Sequence, residues 1–254
     1  MLIWENERLQ VNNGNFMSDE KICNHVERIG LALKPHYYNT RMQPSDSGKY
    51  WFKDFKVWEY PIICEYFHNL YKGQKNLKVM DFGCWASPFP QFISQCCNEE
   101  MGIKVDVYGV DNDAWGDLKN IGYDLIKSIY PNVNYHFDDL SNFKEHDFDF
   151  IYSSSVIEHI PGDHARIEVL NELRQHLSPS GKMFHIVDYY FPEKPNRDDA
   201  RANWWEVCTN SGFVVPNGKV CPGHDDCTHE NIKEHVNFSR EWNEESRLAI
   251  GDDL

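Results

Sequence analysis

The chain has 254 residues, 41% of them hydrophobic, enough to bury one sizeable core, and 25 Lys and Arg against 40 Asp and Glu leave a formal charge of −15. A surface this acidic is poorly suited to tracking phosphates, which argues against nucleic acid and against an anionic membrane as partners. The opening MLIWENERLQVNNGN lacks a basic region followed by an apolar core, and no later run reaches bilayer-spanning length. The sequence therefore reads as soluble and unsecreted. Three of its eight cysteines, Cys84, Cys96 and Cys97, lie in or beside one turn and helix, a pattern of reduced thiols rather than a disulfide framework, so the cytoplasm is the expected compartment.

Residues 18–33 carry Ile22, Val26, Ile29 and Leu33 on one helical stripe, and a second helix is predicted from Pro61 with Ile62, Ile63, Tyr66, Phe67 and Leu70. Between them, residues 34–55 are rich in Tyr, Pro, Ser and Gly without periodicity, as in a connecting loop or one that closes over a site. The most informative stretch follows, NLKVMDFGCWASPFPQFISQCC at residues 76–97. Leu77 to Met80 predict a buried strand ending at Asp81. Gly83 permits a sharp reversal, Ser87 suits an N-cap, Pro88 fits a first helical turn, and Phe89, Phe92, Ile93, Cys96 and Cys97 share one helical face.

A second strand (Val105, Val107, Val110) should end at Asp111, followed by a helix through Leu118, Ile121, Leu125 and Ile129. Val133, Tyr135 and Phe137 alternate in a third strand reaching Asp138 and Asp139, and residues 148–152 form a fourth, ahead of serines 153 to 155. A helix over residues 163–177 stops at Ser178-Pro179-Ser180-Gly181, and Met183 to Val187 supply a fifth strand ending in Asp188. A short helix over residues 203–211 closes at Gly212, residues 213–215 are a sixth strand and residues 235–238 a seventh. Such alternation implies a parallel sheet with helices on both faces.

A dinucleotide would require further glycines for close approach of its pyrophosphate, but Trp85 and Ser87 stand there instead. An adenosine without phosphate needs one close approach, an acid for the ribose hydroxyls and a polar group for the adenine. Asp111 and Asp139 are placed for those two tasks. VMDFGCWASPFP, VYGVDND, the FDD at residues 137–139 and FDFIYSSSVIEHIP, followed by HLSPSGKMFHIVD, resemble in order and spacing the motifs of class I S-adenosylmethionine-dependent methyltransferases, over residues 57–215.

The resemblance implies a Rossmann-like, seven-stranded, mostly parallel sheet with helices on both faces. Residues 1–56 would be an N-terminal helical and loop cover, and residues 57–254 the methyltransferase domain. It implies S-adenosylmethionine as cofactor, with Asp81 and Gly83 bordering its methionine part and Cys84 in the same turn. Asp111, followed by Asn112, would take the ribose hydroxyls, Asp139 or Asp138 the adenine amine, and Ser153 and Ser154 the pocket floor. The departure is Trp85, where many members carry glycine.

Methyl transfer to an alcohol needs a base to take its proton. His159, just past the fourth strand, is the first candidate, with Asp188 as orienting group or alternative base; the competing reading is that the Glu158-His159 pair caps the chain before Pro161. Aromatic residues Tyr189, Tyr190, Phe191, Trp204 and Trp205 are placed to roof an acceptor pocket. The expected activity is O-methylation of a small molecule or glycan hydroxyl. Rivals are a nicotinamide-dependent oxidoreductase, disfavoured by the missing glycines, and a non-catalytic binding module. Cys221, His224, Cys227 and His229 could ligate zinc, but their spacing matches no common finger, and Glu158 with His159 has too few companions, so no metal is expected.

Overall fold

The computed structural model describes residues 73–87, 89–96, 103–190 and 204–213, the helical positions Ile63, Phe67, Leu70 and Tyr71, and the strands Leu2–Ile3 and Glu245–Gly251. Two compact units emerge, residues 10–144 and residues 145–254 together with 1–9. The expected helix over 18–33, the loop over 34–55 and the strand over 235–238 lie outside the described residues.

In the first unit, β1 (Asn76–Phe82), β2 (Lys104–Val110) and β3 (Val133–His136) run parallel, with β2 between the other two. Val79, Met80 and Val107 are completely buried, as befits strands covered on both faces. Helix α1 (Phe89–Cys96) begins as expected, its Phe89 N–H bonded to Ser87 Oγ at 3.1 Å, and buries Phe89, Phe92 and Ile93. Ile63, Phe67 and Tyr71 are also buried, in keeping with the apolar stripe expected of that helix.

Two expectations are corrected here. The single helix after β2 is two short ones, α2 (Asp117–Ile121) and α3 (Tyr123–Ile129), because Gly122 adopts φ 99° and ψ 114°, a conformation that breaks a helix. Leu118 and Ile126 are therefore the buried anchors, rather than one stripe through Leu125 and Ile129. The third strand stops at His136, short of Asp138 and Asp139. Beyond it the Asp139 N–H turns onto the Asp138 carboxylate at 2.7 Å and a 3-10 turn follows at Leu140–Asn142.

In the second unit, β4 (Phe148–Ser154) and β5 (Leu177–Tyr190) are parallel, and α4 (Asp163–Gln175) connects them. Helix α5 (Trp204–Asn210) ends at Gly212 with φ 80°, close to the predicted bounds, and packs against α4. The fifth strand is longer than expected: Ser178-Pro179-Ser180-Gly181 lies inside β5, not in a turn before it. The register shifts between Phe148 and Phe150, and a Cβ on Gly181 would run into the Phe148 carbonyl oxygen, so glycine serves here for close backbone approach. Phe213 is buried but not in a strand, and β6 (Glu245–Gly251) runs antiparallel to β5, in a segment not expected to be regular.

The class is Rossmann-like α/β. Among the described residues, five strands are parallel to a neighbour within their own unit, three in one and two in the other, rather than seven.

Candidate functional site

The first unit collects its polar residues where β1, β2 and β3 end. The Val110 carbonyl at the end of β2 accepts the Gly83 N–H at 2.8 Å and the Cys84 N–H at 3.3 Å, pinning the turn that leaves β1. Gly83 has φ 70° and Trp85 φ 43°, so two residues of this turn are left-handed, one without the freedom of glycine. The chain holds Trp85 in that form through Asp111. One carboxylate oxygen accepts the Trp85 N–H at 2.8 Å, and the other accepts the Asp113 N–H at 2.8 Å. A residue expected to face a ligand thus also clasps the preceding turn, across 26 positions of sequence.

Burial raises the Asp111 pKa, and the N–H groups of Asp113 and Trp85 oppose that rise. Cys84 is sealed within the turn. Burial first, then the charges of Asp111 and Asp81, push its thiol well above the ordinary range, so it stays neutral and serves as packing. Beneath it, a Cβ on Gly109 would stand 2.7 Å from the Tyr135 ring and 2.9 Å from Cys84 Sγ, so only glycine fits the floor of this turn. Asp81 is buried at the end of β1, 5% exposed.

Asn112 and Asp139 are exposed neighbours, Asn112 Nδ2 lying 3.5 Å from Asp139 Oδ1. Asp138 is committed locally. It accepts the Asp139 N–H and, at 3.1 Å, the Asn142 amide, and these bonds hold its carboxyl below the ordinary range. Of the two acids after β3, Asp139 is the one placed beside Asn112. Asp81, Gly83, Cys84, Asp111, Asn112, Asp138 and Asp139 all belong to this one set of strand ends and turns.

Sequence reading missed Asp113. With φ 52°, its carboxylate accepts the N–H groups of Leu118 and Lys119, each at 2.9 Å, and the Tyr123 hydroxyl at 3.0 Å. It organises the start of α2 from several residues upstream, while Gly116 occupies the ordinary cap position without a side chain to offer. An aspartate beside Asp111 ahead of a helix was the available signal.

The remaining expected residues belong to the second unit. Ser153 is completely buried, its hydroxyl 2.8 Å from His185 Nδ1, so its side chain serves the interior and only its backbone remains for a floor. Burial lowers the His185 pKa to about 3, leaving the imidazole neutral against the edge of Phe213. Ser154 is half-buried. Ser155, at φ 56°, reverses the chain while its N–H bonds the Ile186 carbonyl of β5 at 2.8 Å. The 3-10 turn Ile157–His159 then presents a buried Glu158 and a half-buried His159.

Asp188 sits in β5 opposite Arg247 of β6; its side chain, like those of Tyr189, Tyr190, Trp204 and Trp205, lies outside what is described. Phe191 and the Cys221, His224, Cys227 and His229 cluster lie outside the described residues altogether. Among the described residues, no three of His, Cys, Asp and Glu group to hold a metal ion.

Residues 57–238 match the family model described as Methyltransferase domain. No curated protein matches the chain. Among solved structures, a candidate sarcosine dimethylglycine methyltransferase from Galdieria sulphuraria is similar over 89% of this chain and 97% of its own, at 12% identity and a TM-score of 0.53. A candidate class I S-adenosylmethionine-dependent methyltransferase from Listeria monocytogenes is similar over 97% of this chain and 72% of its own, at 15% identity and a TM-score of 0.50. These likenesses bear on the fold. The family match spans well over half of the sequence, so the chain belongs to the methyltransferase-domain family, the class I enzymes its motifs resemble.

Proposed function

We propose that this protein transfers the methyl group of S-adenosylmethionine to a hydroxyl oxygen of a small molecule or glycan. The observation that carries the cofactor reading is Asp111. Its two oxygens, each already oriented by a backbone N–H, retain lone pairs for the two hydroxyls of a ribose. The donor set fits an adenosine better than a pyrophosphate, because the acceptors at these strand ends, Asp81, Asp111 and Asp139, are carboxylates that welcome hydroxyl and amine donors and repel phosphate.

In this reading Asp81 and Gly83 border the methionine part, with Cys84 packed inside the same turn, Asp111 and Asn112 the ribose, and Asp139, backed by Asp138, the adenine. Ser154 and the backbone of Ser153 line the floor. The bound cofactor supplies an electrophilic methyl on a sulfonium. His159 would take the acceptor's hydroxyl proton, with Asp188 to orient or replace it, and displacement at the methyl would break its bond to sulfur and leave S-adenosylhomocysteine. Exclusion of water and in-line alignment are the remaining tasks of the pocket. Residues 57–254 form the catalytic domain and residues 1–56 its cover. The charge of −15 favours a small acceptor over nucleic acid or an anionic membrane, and the cysteine pattern of reduced thiols favours the cytoplasm as the compartment. No helix among the described residues is long and apolar enough to cross a membrane.

Calorimetric titration with S-adenosylhomocysteine tests the cofactor, and binding with one site per chain is expected. Incubation with methyl-labelled S-adenosylmethionine and a fractionated extract tests the acceptor, and the label is expected on oxygen. Absence of binding overturns the first reading; label found only on nitrogen, as an amine acceptor would give, overturns the second.

A further inference from the structure

We infer that Arg166 is a positioning residue for the proposed base, setting the turn that carries Glu158 and His159. Arg166 lies in α4 and is only 1% exposed, an unusual place for a guanidinium. Its donors explain the burial. Nε donates to the Ile157 carbonyl at 3.3 Å, Nη2 to the Glu158 carbonyl at 3.0 Å, and Nη1 to Asp163 Oδ1 at 2.7 Å. The first two acceptors are consecutive backbone carbonyls of the turn Ile157–His159. The third is the first residue of α4, so the fork ties the turn to the helix that follows it.

The rigidity of guanidinium matters here. Its planar fork fixes two adjacent carbonyls at once, which a lysine ammonium, as a point charge on a flexible stem, does not do. From the other side, the Ser155 N–H fastens the same segment to Ile186 of β5, and the His159 N–H bonds Val156 within the turn. The loop that leaves β4 is therefore held at both ends, and the backbone of His159 follows directly from the two carbonyls Arg166 grips. Burying a charged fork to bind main chain adds nothing to packing that an apolar side chain could not provide. Its product is a fixed direction for the residue that comes next.

The inference rests on the reading of His159 as the base, and the test separates the two. Arg166→Met, His159→Asn and the double variant are compared with the wild type by incorporation of labelled methyl from S-adenosylmethionine into fractionated extract. S-adenosylhomocysteine titration checks cofactor binding, and the His159 ring resonance is followed by NMR against pH. A positioning role predicts that Arg166→Met lowers the rate about tenfold or more while S-adenosylhomocysteine affinity stays within about twofold. It also predicts little further loss from Arg166→Met in the His159→Asn background, and a broadened or shifted His159 titration.

A rate within about twofold of wild type for Arg166→Met, or a full multiplicative loss on top of His159→Asn, overturns the inference. If His159→Asn alone keeps the full rate, the base assignment falls. The resonance then decides the inference, and an unaltered His159 titration in Arg166→Met overturns it. Should Arg166→Met fail to fold, Asp163→Ala keeps the guanidinium and removes its anchor. A rate loss of about threefold that vanishes in the His159→Asn background supports the role, and an unchanged rate overturns it.

Discussion

Replacing Asp111 by alanine tests the central contact of the candidate site. The carboxylate accepts two backbone N–H groups at 2.8 Å, from Trp85 and Asp113, and in the proposed complex it also accepts from the ribose. A hydrogen bond to a charged group contributes ~1.5–3 kcal/mol, so losing one or two ribose bonds should weaken S-adenosylhomocysteine binding by roughly 1.5–6 kcal/mol, tenfold or more in Kd. The free protein should lose ~1–3 kcal/mol in urea unfolding, because the two N–H groups are only partly covered and water replaces some of the lost acceptor. Asp111→Asn keeps one acceptor oxygen and should fall between the two. The direction of the pKa gives a second signature. Burial raises the Asp111 pKa, so affinity in the wild type should begin to fall at a higher pH, on acidification, than an ordinary aspartate would cause, and Asp111→Asn should remove that dependence. Calorimetry at several pH values measures both effects. A folded Asp111→Ala protein that binds S-adenosylhomocysteine within twofold of wild type would refute the assignment.

Gly109→Ala should destabilise by about 1–3 kcal/mol and weaken S-adenosylhomocysteine binding, since the new methyl must displace the Tyr135 ring and Cys84 Sγ under the turn; urea denaturation showing less than about 0.5 kcal/mol would contradict the packing. Asp113→Ala should cost about 1–2 kcal/mol through loss of the acceptors for Leu118 and Lys119, with Asp113→Asn retaining part, as thermal unfolding would report. His185 has a folded pKa of about 3, below the unfolded value near 6.5, so the unfolded chain binds its proton first. Its share of stability is complete above about pH 6.5 and is lost as pH falls toward 3, at up to ~1.4 kcal/mol per pH unit; His185→Gln should flatten urea midpoints over that window. Equal slopes in the two proteins would show that His185 is not the proton carrier.

The acids and the glycine turn were legible in the sequence because each sits where a short apolar run ends, and Ser87 signalled the start of α1 through its own chemistry. Boundaries set by distant contacts were not. Nothing local distinguishes Ser178-Pro179-Ser180-Gly181 as strand: it becomes one because Gly181 lets the backbone press against Phe148 of β4. Nothing local assigns Ser153 to the interior either, since its partner His185 lies 32 residues away. The break at Gly122 could have been foreseen, as glycine within a helical stripe is a recognised interruption, but the apolar spacing through Leu118 and Ile129 concealed it.

By itself, then, the sequence determined the alternation of strands and helices, the acids at the strand ends and the family, since hydrophobic period and residue type are properties of the chain alone. Tertiary structure decided which of those polar groups do what: it bound Asp111 to the Trp85 N–H, drew Asp138 into its own turn, sealed Ser153 and Cys84, and buried Arg166 against two carbonyls. These roles depend on distances between residues far apart in the chain, and a hydrogen bond or a buried charge exists only once folding has brought its partner within reach.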